Sequence, residues 1–298
     1  MDQSTRSKMK QWLKQLQLHM GAAENLFDDE YIKRQYDLVN VQAEGSALLL
    51  LFFSQRENIF LQKLKMYRRK YSTENLWGVS PLETKGTYTH HYKSIEIPAG
   101  ALQEPIFKAA AAASHKFGST GSYISEILSF GFKEEGDSML PQPGEYTWSS
   151  ETKAKFQRAA NCLKKQKTGK AARRANGSRV NKDSIQKKAD SISFHVKFND
   201  HVGLRTSYKT FQALISLCKK ECMDTQDEQS LKKMFFESYA QRHCGADDFE
   251  DNEARVNYAL STYSEFAKVF QCGKGQPMKG EDKCAILPRS QDDGLPSA

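Results

Sequence analysis

From Lys153 to Lys188 this chain carries thirteen lysines and arginines against one acid, Asp183. So dense a charge of one sign cannot enter an apolar core, because each unpaired ion would lose its hydration. The run therefore has to lie at a surface or between folded parts, and it divides the 298 residues accordingly. A helical N-terminal domain is expected over 1–145, a basic connecting segment over 146–190, an α-rich C-terminal unit over 191–271 and a disordered tail over 272–298. The net charge of the whole chain is +8, less than the excess within the run alone, so the remainder is net negative.

Apolar periodicity assigns the elements on either side. Met9, Trp12, Leu13, Leu16 and Met20 recur at spacings of three and four and predict one amphipathic helix. A second is expected from Ala23 to about Val41, with Asp28, Asp29 and Glu30 where the helix dipole favours acids. Leu49, Phe53, Phe60, Leu64, Tyr67 and Tyr71 continue a third stripe, whose start, Leu48 to Phe53, is apolar all round. Such a start predicts burial on every side and a central place in the domain. The apolar run from Ala47 to Phe53 is far shorter than the roughly 20 residues of a membrane span.

Glycines and prolines punctuate Ser72 to Gly100, which reads as loop with a short strand between Tyr88 and Ile97. Helices are expected again over Ala101 to Lys116 and Ser122 to Phe130, and Gly131 to Trp148 reads as the domain boundary. Beyond the basic run, Ile192, Phe194, Val196 and Phe198 alternate with polar residues and predict a strand. Three helical stripes follow: Tyr208 to Cys222, Leu231 to Tyr239, and Val256 to Phe270. The fold class is mainly α, with a short strand in the C-terminal unit.

The basic run also directs the functional reading. Lysines and arginines exchange condensed counterions for phosphate contacts, and Lys164, Lys165, Lys167, Lys170, Arg173, Arg174 and Arg179 are the candidate contacts. A second cluster, Lys63, Lys65, Arg68, Arg69 and Lys70, is interleaved with Tyr67 and Tyr71, which could stack on bases. The expectation is a non-enzymatic nucleic-acid-binding protein, RNA or single strands before duplex DNA. The same residues suit an import receptor, and a nuclear, intracellular location is expected. The alternatives are an assembly scaffold, with homo-oligomers among its partners, and a divergent metal-dependent nuclease. The nuclease would use Asp247, Asp248, Glu250, Asp251 and Glu253.

No cofactor and no membrane partner are expected. The N-terminus lacks the apolar core of a secretory signal. Six cysteines, Cys162, Cys218, Cys222, Cys244, Cys272 and Cys284, match no disulfide framework and read as reduced thiols. Cys218, Cys222, His243 and Cys244 form the one conceivable zinc set, although both of the first two continue an apolar stripe and read better as core. The pair His90-His91 reads as surface, and Lys167-Thr168-Gly169-Lys170 fails as a phosphate loop because Ala171 follows where Ser or Thr is needed.

Overall fold

A computed structural model of the chain describes residues 1–39, 48–67, 77–89, 93–132, 148–165, 192–218, 227–244, 249–273, 276, 278–279 and 284. The fold is mainly helical, as the periodicities predict, and it also carries one small sheet of three strands that they do not. Its elements in chain order are α1 (Gln3–Gln15), β1 (Gln17–Gly21), α2 (Asp29–Gln35), α3 (Leu48–Tyr67), β2 (Thr87–Thr89) and β3 (Ser94–Pro98). After them come α4 (Ala113–Lys116), α5 (Ser122–Ser129), α6 (Ser150–Lys165), α7 (Phe194–Cys218), α8 (Glu228–Gln241), α9 (Phe249–Ser261) and α10 (Ser264–Val269).

Helix α1 starts at Asp2, whose carboxylate accepts from the Thr5 amide at 3.0 Å and from the hydroxyls of Ser149 and Thr152. One residue thus caps α1 and pins the start of α6 beside it. Those hydroxyl bonds hold the Asp2 carboxyl well below the usual carboxylate range. Met9 and Trp12 are buried as expected, but the helix stops at Gln15 and Met20 lies in β1. In the sheet β3 is central, parallel to β1 (Leu18 opposite Ile95, Met20 opposite Ile97) and antiparallel to β2 (Tyr88 opposite Ile95). Every residue of β3 is buried, which suits a strand covered on both faces. Ile95 and Ile97 pack on Ile127 of α5.

The principal core lies between α7, α8, α9 and α10. Tyr208, Phe211, Phe235, Phe236, Tyr263 and Phe266 interlock there, with Phe211 stacked on Phe235 at 5.4 Å between centroids. Each such side chain contributes about 1.5–3 kcal/mol on leaving water. A second patch joins α6 to the start of α7, where Phe156 meets Phe194 and Phe198 at 6.2 and 5.4 Å. This patch explains why the predicted strand over 191–198 is instead a helix starting at Phe194. The alternating residues Phe194 and Phe198 are also four apart, and Val202 continues the same side. Packing on α6 selects the helical period over the period of two.

Three further expectations are corrected. Residues 101–112 are turns rather than helix, and α4 begins only at Ala113. Pro105 lacks an amide hydrogen and interrupts any helix through this stretch. The start of α3 is exposed, not central: Leu48, Leu50, Phe53 and Phe60 are 83%, 66%, 59% and 60% accessible. Its buried contact is polar, since Asn58 Nδ2 donates to the Gln35 carbonyl at 2.8 Å and Gln62 Nε2 to the Arg34 carbonyl at 3.0 Å. Finally, Cys162 and Cys284 are not reduced thiols but a disulfide, 122 residues apart in sequence. Residues 133–147 of the predicted boundary Gly131–Trp148 lie outside the described residues, as does most of the tail.

Candidate functional site

Helix α4 runs into α5 through a π-helical stretch, Phe117–Gly121. The hydroxyls of Ser122 and Ser207 bond carbonyls of that stretch, satisfying groups that the wider turn would leave open. The stretch is also where neighbours come closest. A Cβ on Gly118 would collide with the Phe235 carbonyl of α8. Across from α5, a Cβ on Gly203 of α7 would lie 3.0 Å from the Glu126 amide nitrogen and 3.0 Å from the Ser122 carbonyl oxygen. The absence of a side chain at Gly203 is therefore what lets α5 and α7 touch backbone to backbone. Asp200, three residues before Gly203, is brought to the same face as Glu126.

Two arginines complete the cluster. Arg255 of α9 grips Asp200 with both arms of its guanidinium, Nε to Oδ2 at 3.0 Å and Nη2 to Oδ1 at 2.7 Å. Its Nη2 also donates to Glu126 Oε1 at 3.0 Å. Arg242, immediately after α8, donates from Nη1 to Glu126 Oε2 at 2.9 Å. Its guanidinium sits 5.7 and 5.2 Å from the ring centroids of Tyr123 and Tyr239, where the aromatic faces favour a cation. Two carboxylates meet two guanidiniums, so the cluster is neutral. Asp200 and Arg242 are almost sealed, at 1% and 4% side-chain exposure, whereas Glu126 and Arg255 reach solvent at 16% and 25%.

The electrostatics follow from that burial. Desolvation pushes the Asp200 carboxyl up and the like charge of Glu126 adds to it, while Arg255 pulls it down. Arg255 is held charged against its own burial, first by its hydrogen bond to Asp200 and then by the charges of Asp200 and Glu126. Burial raises the Tyr239 phenol, helped by the charge of Asp200. His201, next to Asp200, and His243, next to Arg242, are both held well below the ordinary imidazole value, mainly by burial. Tyr239 Oη, His201 Nδ1 and Arg242 Nε are buried without a hydrogen-bond partner among the described residues.

The residues singled out in the sequence lie elsewhere. Lys63 and Lys65 are on α3, and Lys65 stands 3.7 Å from Asp37. Lys164 and Lys165 end α6, with Lys164 lying 5.2 Å from the centroid of the Phe194 ring. Arg68, Arg69, Lys70, Lys167, Lys170, Arg173, Arg174 and Arg179 lie outside the described residues, as do Cys222, Asp247, Asp248 and the pair His90-His91. Cys218 ends α7, Cys244 is exposed and His243 packs edge-on against Tyr239. Among the described residues no three of His, Cys, Asp and Glu are grouped to hold a metal.

Sequence reasoning passed over Glu126, Asp200, Arg242 and Arg255. One signal was available for Glu126. It is the only charged residue between Phe117 and Phe132, within a helix whose other residues are apolar or small. A charge kept in such a stretch requires a buried partner. Which cation supplies it is set by tertiary contacts from 116 and 129 residues away, which no local pattern reveals.

Comparison with known proteins supplies the rest. A family model described as Peptidase family M13 matches residues 86–286, which contain all four members of the cluster. Neprilysin-3 of Drosophila melanogaster is 24% identical over 307 residues, covering 96% of this chain and 36% of its own length. Human neprilysin is 24% identical over 277 residues, covering 88% and 35%. The chain therefore spans well under half the length of these curated relatives. Among solved structures, a zinc metalloprotease of Mycobacterium tuberculosis in complex with an inhibitor superposes with a TM-score of 0.67 at 16% identity, over 93% of this chain and 42% of that one. The Haemonchus galactose-containing glycoprotein complex gives 0.68 at 19%, over 93% and 44%. Both likenesses are of fold.

These matches overturn the expected function. A nucleic-acid-binding protein with nucleic acid and an import receptor as partners is replaced by a peptidase family, and with it go the scaffold and nuclease alternatives. The expectation of a non-enzymatic protein is corrected by the same finding. The physical reason is visible in α6. This helix takes up the first part of the basic run and buries Ala160 and Leu163, while Lys155 pairs with Glu151. In α6 the exposed Lys155, Arg158, Lys164 and Lys165 form the solvated face of an amphipathic helix, while the rest of the run, from Lys167 on, lies outside the described residues.

Proposed function

Because the chain belongs to peptidase family M13, we propose that its functional site is the Glu126–Asp200–Arg242–Arg255 cluster and that its ligands are peptides. The observation that carries this reading is the placement, inside the matched span, of a neutral charge cluster whose Glu126 and Arg255 alone open to solvent. Beside it lies β2, an edge strand of the sheet. Helix α5 packs against β2 and β3, and the Tyr123 hydroxyl accepts from the Gly86 amide at 2.5 Å, fixing the approach to that edge. An extended peptide added along β2 would gain main-chain hydrogen bonds and run along α5. There the Arg255 guanidinium offers donors to a peptide carbonyl or carboxylate.

One solved neighbour is by its title a zinc metalloprotease, and zinc sets definite requirements on the residues around it. A helical zinc-peptidase site sets two histidines around a glutamate in the pattern H-E-x-x-H, both imidazoles on one face. None of the seven histidines of this chain is followed by glutamate. Around Glu126 the sequence is Ser125-Glu126-Ile127-Leu128-Ser129, with serines at both flanking positions. Ser129 Oγ is committed to the Glu126 carbonyl at 2.6 Å and Asn199 Oδ1 at 2.8 Å. Zinc takes thiolate, imidazole or carboxylate, so these residues do not fit it, and no chemical step is derived through a metal.

The compartment is part of the same proposal. A disulfide such as Cys162–Cys284 persists where the milieu is oxidising, which favours a secreted or luminal location over the nucleus. The test of the reading is anisotropy of labelled short peptides titrated with the 298-residue chain. Saturable binding is expected, weakened about tenfold or more by Arg255→Lys, which keeps the charge but loses the fork. Absence of binding, or binding indifferent to both Arg255→Lys and Glu126→Gln, would remove the cluster as the site.

A further inference from the structure

A carboxylate taken out of water needs a counter-cation, and breaking a buried pair leaves an uncompensated charge. In this chain the cation nearest to Glu126 on its sealed side is Arg242, at 2.9 Å and 4% side-chain exposure. Arg242 is held there by more than the ion pair. It follows the last turn of α8, with its amide donating to the Ser238 carbonyl at 3.1 Å, and its guanidinium lies near two tyrosine rings. The group is therefore part of the protein interior, not a mobile surface arginine that has folded inward. At the two positions flanking Glu126 where a metal would need imidazoles stand hydroxyls, and one of them is already bonded.

We infer that Arg242 is a built-in cation that neutralises Glu126 in place of a metal, so that this site is metal-independent. A guanidinium stays charged at every physiological pH, needs no ligand set and cannot be removed by a chelator. It also leaves Glu126 ion-paired on both oxygens, with Arg242 on Oε2 and Arg255 on Oε1. In that state the carboxylate is an anchor for the two helices and for Arg255, and the open edge of the cluster presents Arg255 to a ligand. The clause concerning ligands rests on the peptide reading above; the one concerning metal does not.

Three measurements test it on the 298-residue chain. After incubation with zinc and desalting, elemental analysis should find no more than about a tenth of an equivalent per chain. Peptide affinity should be the same before and after treatment with a chelator. In thermal melts Arg242→Met should lower Tm by roughly 5–10 °C, and adding Glu126→Gln should restore most of that loss, because no charge is then left alone. One equivalent of retained zinc that Glu126→Gln or Asp200→Asn abolishes would overturn the inference. So would affinity lost to the chelator, or the two substitutions lowering Tm additively. Should no peptide bind at all, the peptide reading fails while the zinc and melting results still decide the metal question.

Discussion

The charge cluster and helix α3 invert the usual distribution of residues in opposite directions. Between α5, α7, α8 and α9 four charged side chains are turned inward. On α3 a row of leucines and phenylalanines is turned outward, while Asn58 is buried. The difference shows that side-chain type alone does not decide burial. Charges enter when every one of them finds an opposite partner at hydrogen-bonding distance. On α3 the hydrogen bonds to α2 run from Asn58 and Gln62 to backbone carbonyls, while the leucines and phenylalanines face outward.

The largest break in this contrast should come from the inward charges. Arg255→Ala leaves Asp200 buried without its two-armed partner and should cost about 3–5 kcal/mol, read from urea unfolding. A change below ~1 kcal/mol would mean that the cluster contributes little to folding. Next is the contact that builds the cluster. Gly203→Ala should force α5 and α7 apart and cost about 1–3 kcal/mol. It should also weaken the Asp200–Arg255–Glu126 linkage, so its effect and that of Arg255→Ala should be less than additive in a double-mutant cycle.

A smaller effect depends on pH. His201 is kept neutral, chiefly by burial and secondarily by Arg205, with a folded value well below the ordinary 6.5. Its contribution is fully present above 6.5 and is lost as pH falls from 6.5 towards the folded value, because the unfolded chain takes up the proton first. His201→Gln should flatten the decline, by up to about 1.4 kcal/mol per pH unit between 6.5 and the folded value. Asp200 works in the opposite sense, since its raised folded value lets the native state protonate first as pH drops. An unchanged pH profile in the variant would show that His201 does not titrate on unfolding. The smallest change is expected on α3. Phe60→Ser should alter stability by no more than about 0.5 kcal/mol, yet reduce any self-association seen by sedimentation, since exposed apolar patches drive such contacts.

These contrasts also mark how far the sequence could be read. The stripes Tyr208–Phe211–Ile215 and Leu231–Phe235–Tyr239 predict helices that the principal core confirms, because their apolar period matches the partner they meet. The same reasoning failed at α3, where the period was real but the partner was polar, and at Phe194, where two periods fitted and packing on Phe156 chose between them. The site was harder still. Glu126 is the only charge between Phe117 and Phe132, a signal that apolar stripes do not use, whereas Asp200 lies just past the misassigned strand and Arg242 and Arg255 carry no local mark of burial. Their roles exist only after the helices cross. The basic run drew attention because charge is countable in one dimension; pairing is not.

The Cys162–Cys284 bond turns part of the chain into a covalent ring with the first 161 residues as its tail. Asp200, Arg242 and Arg255 belong to the ring, while Glu126 comes from the tail. A single proteolytic cut anywhere between the two cysteines would open the ring without releasing a fragment, and the nicked protein would gain only one water in mass until reduced. Three members of the cluster are thus tethered to one another by two routes along the chain, and the fourth by one.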